Sequence, residues 1–265
     1  MATKKNGNGT ALTSLFENIE EKGFGDLSTE DLRTPRISII QALSPQRQKN
    51  SSDYLADAEE GDLYYSGSSV AISGDDGLLF LPSYYSKTLV EWGLREKGGG
   101  FKGVHPADSD LLNRCTRDSQ GRMVTPNGET QLTVTSNHYG FALVDDVAQK
   151  CVINMTGSQL KHSRAWNTMI QGTKMKGAKG MFTPPAYSHW YRLSTQVESN
   201  DRGSWYSYHI VQERVLEEKE TDLFAEAEEF AKFGSSGALD QLGGPSKSVS
   251  SPALEQSGNK KDWED

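Results

Sequence analysis

Short runs of β-branched and aromatic residues, each bounded by glycine-rich or polar peptides, recur through the middle of this chain. Such runs are typical of β-strands, and a series of them separated by turns is typical of a sandwich or a barrel. We therefore predict a mainly β domain of α+β class, with helices as additions. No apolar run approaches the ~18 residues that a membrane-spanning helix needs, so no membrane association is expected.

The positions of individual elements follow from the same patterns. Pro35 fixes the start of one strand, and Asp145-Asp146 is expected to form a turn. Downstream of Pro35, apolar residues recur at helical spacing in two segments. The expected strands are Arg36–Gln41, a hairpin of Val70–Ser73 with Leu78–Leu81, a second hairpin across Arg117–Gly128 with the return arm Thr130–Val144, and Tyr187–Gln196 joined to Ser204–Val211. The expected helices are Ser158–Ile170 and Glu213–Phe233.

Composition divides the chain into three parts. Residues 1–10 are mostly polar, lack an apolar cluster to bury and are predicted to be disordered, and a short helix is expected between Leu12 and Gly23. Residues 11–233 are predicted to form a single domain. Residues 234–265 begin with a stretch of Gly, Ser, Pro and Gln that is typical of a flexible linker, and they end in an acidic tip.

The charge is distributed unevenly. The chain has 28 basic and 36 acidic residues, a net charge of −8, which by itself argues against nucleic-acid binding. The 51 residues from Val147 to Val197, however, contain seven Lys or Arg residues and no Asp or Glu. The rest of the chain therefore carries −8 − 7 = −15. A local charge of +7 in an acidic protein is an electrostatic footprint for a polyanion.

We expect two groups of cations to hold phosphates. The first lies in the acid-free window, where Lys161 and Arg164 share one helical face and three lysines lie in a glycine-rich loop. The second flanks Gly98-Gly99-Gly100. That triplet lacks the Gly-Lys-Ser/Thr of a nucleotide-binding loop, so a mobile basic loop is the interpretation. The nine candidates are Lys161, Arg164, Lys174, Lys176, Lys179, Arg192, Arg95, Lys97 and Lys102.

Aromatic residues accompany these cations, and rings can stack on single-stranded bases at roughly 1–3 kcal/mol per base. In the strand around residue 190, alternation places Trp190 on the face of Arg192 and Tyr191 on the opposite face. Trp190 is therefore expected to be exposed and Tyr191 to be core, although any single ring here could equally be core. The candidate stacking rings are Trp190, Trp205, Tyr85 and Trp92.

No pattern in the chain demands catalysis. There is no Gly-x-Ser-x-Gly motif and no carboxylate cluster suited to a two-metal site. His105, Cys115, His138 and Cys151 lack the spacing of zinc ligands. We expect no enzyme activity, no metal and no cofactor. Two cysteines and a polar N-terminus without a signal peptide favour a reducing cytoplasm.

Several stretches carry a resemblance to a known family. They are Thr34–Gln46, Phe80–Tyr85 with Glu91-Trp92 and Gly98–Phe101, and Gly157–Lys161 with Ser163–Asn167. Over residues 30–215 the sequence resembles the single-stranded DNA-binding proteins of tailed bacteriophages. The resemblance implies an OB-type β-barrel that covers single strands in the host cytoplasm during phage replication, recombination and repair. It also implies that the tip Asp262, Trp263, Glu264 and Asp265 docks phage replication or recombination proteins, although Lys260 and Lys261 depart from a purely acidic tip.

Other functions remain open from the sequence. A protein–protein adaptor or a virion-associated structural protein could use the basic window to dock an acidic partner. RNA binding shares every feature described above. The oligomeric state is also open, with a homodimer as one option.

Overall fold

Strands dominate the structure, a computed structural model that describes residues 34–201, 203–237 and 239. These residues belong to one compact unit that begins at Thr34. The predictions for residues 1–10, for the helix after Leu12 and for the acidic tip lie outside the described residues. The strands are β1 Arg36–Ile39, β2 Leu63–Tyr65, β3 Val70–Ile72, β4 Leu78–Gly93, β5 Phe101–Pro106, β6 Thr116–Arg117, β7 Met123–Val124, β8 Thr130–Val144, β9 Val147–Thr156, β10 Met175–Gly177, β11 Gly180–Phe182, β12 His189–Asn200 and β13 Gly203–Val215. The helices are α1 Leu111–Arg114, α2 Leu160–Gly172 and α3 Thr221–Ser235.

Eleven strands form one sheet that curls into a half-barrel, so the prediction of a mainly β fold with helical additions is confirmed. The strand order is β13-β12-β4-β8-β9-β1-β2-β3, with β5 beside β4 and the β6–β7 pair beside β8. Pairing is antiparallel except between β1 and β9. β10 and β11 form a separate two-stranded hairpin.

Two hairpins follow the sequence closely. β12 and β13 pair antiparallel over nearly their whole length, from His189 opposite Val215 to Asn200 opposite Gly203, as predicted. β8 and β9 are joined by Asp145 and Asp146, which both have positive φ. A two-residue turn with two positive φ values has the twist that antiparallel strands require, and Asp tolerates it. The predicted turn is therefore confirmed.

The predicted hairpin of residues 70–81 was wrong. Both strands form, but β3 pairs with β2, while β4 pairs with β5, β8 and β12. The peptide between them packs on β12, where Thr195 donates its backbone N–H to the carbonyl of Gly74. A side chain at Gly74 would overlap the Gly61 carbonyl and the Thr195 hydroxyl, so this glycine serves a close approach and not a tight turn.

The second predicted hairpin forms only in part. β7 pairs with the return arm β8 at two positions, opposite Gln131 and Leu132. The main partners of β8 are β4 and β9, which lie on either side of it in the sheet. Long strands with a partner on each side satisfy more of their backbone groups than a short hairpin does, which explains this pairing.

Both faces of the central strands are covered, which produces two hydrophobic cores. One core lies inside the curl, where Ile37 from β1 and Tyr208 from β13 meet around Trp166 of α2. The Tyr208 hydroxyl donates to the Ile37 carbonyl at 3.2 Å, so β13, at one edge of the sheet, meets β1 across the curl here. The second core lies on the outer face, where α3 packs Ala227 and Phe230 against the sheet.

The helix boundaries differ from the predicted ones at α3. Residues 213–215 are strand, and a short 3₁₀ turn at Glu218–Glu220 precedes the helix. Glu220 binds both Arg214 and the indole N–H of Trp190, which fixes the start of α3 against the sheet. At the other end, α3 runs to Ser235 and Leu239 is buried in the outer core, so packed structure extends beyond residue 233.

Candidate nucleic-acid interface

Helix α2 presents the first part of the predicted surface. Ser163 and Trp166 are buried beneath the helix, whereas Lys161, Arg164 and Thr168 are exposed on its outer side. The spacing of three and four residues places these last three on one face, as predicted. The helix begins within two residues of the predicted start, after a 3₁₀ turn at Gly157–Gln159.

The hairpin of β10 and β11 follows directly and presents the second part. Lys174, Lys176 and Lys179 lie on it and are exposed. Lys176 is opposite Met181, and the ammonium of Lys174 donates to the Thr183 hydroxyl, so both lysines are on one side of the hairpin.

In the folded protein, carboxylates from outside the acid-free window lie close to some of its cations. Glu198, one residue past the end of the window, accepts a hydrogen bond from the ammonium of Lys161 at 2.7 Å and contacts His162 at 3.0 Å. Burial alone would raise the pKa of the Glu198 carboxyl, but its hydrogen bond from Lys161 helps to hold that pKa below its usual value. Arg192 is likewise paired, with Glu213 at 2.9 Å. Two of the predicted phosphate contacts are therefore offset by carboxylates.

Four of the six phosphate contacts predicted in the window keep their charge available. Within the described ranges, no carboxylate lies at ion-pair distance from any of them, and all four are exposed. They lie on consecutive segments, one on α2 and three on the hairpin that follows it. The set, which we call the basic surface, is Arg164, Lys174, Lys176 and Lys179.

Two of the four predicted stacking rings are buried, which corrects the expectation that they are exposed. Trp190 is 1% exposed because α3 covers it, and its indole N–H donates to Glu220 at 2.9 Å. Trp92 is buried against Phe101 of β5, with ring centroids 6.0 Å apart. Tyr191 is buried, as predicted, so both faces of β12 are core at this position.

The other two rings reach the surface. Trp205 is half-buried and donates its indole N–H to the Ser207 hydroxyl at 3.0 Å. Tyr85 is 40% exposed, and its ring lies 5.0 Å from that of His138. His138 in turn stacks on Trp166 at 4.4 Å and contacts the Ser163 hydroxyl at 2.8 Å. Tyr85 is therefore linked through His138 to the buried side of α2, which carries Ser163 and Trp166.

The predicted loop of Arg95, Lys97 and Lys102 lies elsewhere. It follows the end of β4 at Gly93, whereas Arg192 pairs opposite Leu79 near the start of that strand. The two positions are 93 − 79 = 14 residues apart along β4. The loop therefore lies at the opposite end of β4 from Arg192.

Sequence reasoning missed the most exposed apolar pair near the cations. Met181 is 65% exposed and Phe182 is 47% exposed, on the β11 strand of the hairpin. The hint was present, because Lys174 and Lys176 alternate with Met175 as they would on a strand. Because the three lysines were predicted to lie in a glycine-rich loop, the sequence offered no reason to expect Met181 and Phe182 on a strand beside them.

Similarity to known proteins agrees with a phage origin. Residues 5–240 match the family described as Pam3 phage gp34-like protein. The chain belongs to this family. No curated protein and no solved structure matches the chain. The phage assignment that followed from the sequence resemblance is therefore confirmed, and the gp34-like match includes α2, the hairpin and the basic surface.

Two features are absent from the described residues of this gp34-like chain. No helix there is long and apolar enough to cross a membrane. No group of three or more His, Cys, Asp or Glu side chains is placed to hold a metal ion in that part of the chain. The predicted docking tip at residues 262–265 lies outside both the described residues and the matched range.

Proposed function

We propose that this gp34-like protein binds single-stranded DNA without sequence preference, in the cytoplasm of the host bacterium. It would cover single strands during phage replication, recombination and repair, and it would catalyse no reaction. The acidic tip Asp262–Asp265 would dock phage replication or recombination proteins. The domain would act as an OB-like barrel whose surface is extended by α2 and the hairpin.

The observation that carries this proposal is the basic surface. Arg164, Lys174, Lys176 and Lys179 have no carboxylate partner among the described residues, in a protein whose net charge is −8. An acidic protein gains little from an unpaired basic patch unless a polyanion binds there. The exposed ring of Phe182 lies on the same hairpin as three of these cations and offers a face on which a base can stack.

The salt dependence of binding tests the proposal. Binding of oligo-dT should weaken linearly with the logarithm of salt concentration, with a slope of about −0.7 for each phosphate contact. The triple variant K174A/K176A/K179A should therefore lower the slope by about 2. A matched control is K49A/K219A/K232A, which removes the same charge from exposed lysines outside the basic surface and should leave the slope unchanged.

Comparison of ligands separates this function from its rivals. Oligo-dT, duplex DNA and RNA are titrated in parallel at two salt concentrations. Equal or tighter binding of RNA would replace DNA by RNA in the proposal, and an adaptor for an acidic protein would bind none of the three. Because Trp190 is buried, any fluorescence quenching by oligo-dT is expected from Trp205 and not from Trp190.

A further inference from the structure

The β10–β11 hairpin is exposed on both faces. Residues opposite each other in an antiparallel pair share a face, so Met175 and Phe182 lie on one side, and Lys176 and Met181 on the other. All three residues of β11 are exposed. Phe182 and Met181 therefore point in opposite directions into solvent, and the hairpin stands away from the sheet.

Phe182 is held in place by its neighbours in the hairpin. A side chain at Gly177 would lie only 3.2 Å from the Phe182 ring, so the ring lies over the backbone of this glycine. One face of the ring therefore rests on the hairpin. An exposed ring supported from below can accept a base without first having to be ordered.

The charge around the ring determines the kind of ligand. Lys174 and Lys176 lie on the opposite side of the same short hairpin, and Lys179 lies in its turn. In the described part of the chain, none of these lysines has a carboxylate within ion-pair distance. A short hairpin with an exposed ring on one face, and uncompensated positive charge on the other face and in its turn, complements a ligand that carries both flat apolar groups and anions, which is a nucleic-acid strand.

We infer that Phe182 is a stacking platform that makes the hairpin select single-stranded over duplex nucleic acid. The inference rests on the proposed function and adds the residue that sets strand preference. In a single strand a base is free to leave its neighbours and stack on Phe182, while the adjoining phosphates contact the lysines. In a duplex the bases stay paired and stacked, so only the phosphates are available to the hairpin.

The experiment compares Phe182→Ala with wild type on oligo-dT and on a duplex of equal length. Loss of one base–ring stack should weaken oligo-dT binding by about 5-fold to 150-fold, while the affinity for duplex stays unchanged. Phe182→Trp should restore oligo-dT affinity, and its added tryptophan fluorescence should be quenched by oligo-dT. Phe233→Ala is the matched control, because Phe233 is 41% exposed on α3 and should be silent.

A second variant separates stacking from charge. Lys176→Ala removes a phosphate contact and should weaken both ligands by a similar factor. The inference is overturned if Phe182→Ala binds oligo-dT as wild type does, or if it weakens both ligands equally, as a merely structural role would. If wild type binds neither ligand, the proposed function itself fails, which is a different result. If Phe182→Ala lost binding to a protein partner but bound oligo-dT as wild type does, the inference would be overturned in favour of an adaptor surface.

Discussion

The side chain of Gln41 hydrogen-bonds to both the N–H and the carbonyl of Tyr206, although 165 residues separate them. Its Oε1 accepts the Tyr206 N–H at 3.0 Å, and its Nε2 donates to the Tyr206 carbonyl at 2.8 Å, where Gln159 Nε2 also donates at 3.1 Å. Tyr206 lies on β13, at one edge of the sheet, and Gln41 follows β1. The Gln41 amide thus takes the place of a neighbouring strand at this edge and joins β13 to the end of β1 across the curl.

This contact predicts a measurable loss of stability. Gln41→Ala leaves the Tyr206 N–H without this partner in a half-buried position and leaves its carbonyl with Gln159, which should lower the free energy of unfolding by about 1–3 kcal/mol. Urea denaturation measures the change. Gln196→Ala, at an exposed glutamine of β12, serves as the control and should cost little. Equal stability of the two variants would show that the contact does not hold β13 and β1 together.

Gly140 marks a position where two strands leave no room for a side chain. A Cβ atom there would overlap the carbonyl oxygen of Leu81 on β4, which is backbone and cannot rotate away. Gly140→Ala should therefore lower the free energy of unfolding by about 1–3 kcal/mol through overpacking. Gly103→Ala is the control, since nothing lies within 4 Å of its added Cβ. The prediction fails if thermal melting places both variants at the wild-type temperature.

His138 predicts a pH dependence of stability. Burial lowers the pKa of this histidine to about 3, whereas its pKa in the unfolded chain is about 6.5. As the pH falls below about 6.5, His138 binds a proton in the unfolded chain but stays neutral in the native protein. The contribution of His138 to stability is therefore complete above this pH and is lost as the pH falls towards 3.

The measurement isolates this residue by difference. Between pH 6.5 and 5, wild type should lose up to about 1.4 kcal/mol per pH unit more than His138→Gln. His189, whose pKa is also lowered by burial, contributes equally to both proteins and cancels. Ser163→Ala removes the hydroxyl partner but keeps the buried ring, so it should retain the wild-type slope. Parallel wild-type and His138→Gln curves would rule out this assignment.

Glu198 predicts a gain of affinity. Its carboxylate offsets the charge of Lys161 at 2.7 Å, so Glu198→Gln should release that lysine for phosphate. An ion pair of this exposure is worth roughly 0.2–1 kcal/mol, so oligo-dT should bind up to about 5-fold more tightly. Glu226→Gln makes the same charge change at an exposed site on α3 and is the control. An equal gain in both variants would mean that net charge, and not Lys161, is responsible.

Much of the local structure could be predicted from neighbouring residues. The β12–β13 hairpin, the helix α2 and the turn at Asp145-Asp146 all formed near their predicted positions. Alternation, helical spacing and turn chemistry are properties of a few adjacent residues, so a single sequence contains them. The same reasoning identified the acid-free window and most of its exposed cations.

Pairings between distant segments could not be predicted in this way. β3 pairs with β2 and not with β4, because the glycines between β3 and β4 pack against β12. Trp190 is core because α3 packs over it, whereas Phe182 lies on a strand whose three residues are all exposed.

Patterns of neighbouring residues are enough to give the β-rich class, the phage resemblance and the segment that carries the positive charge. Which of those charges lack a carboxylate partner, and which rings face solvent, depends on the folded packing. Lys161 and Glu198 are 198 − 161 = 37 residues apart in the chain and 2.7 Å apart in space. Electrostatic compensation and burial depend on distance in space, and that distance is set by the packing of the whole domain.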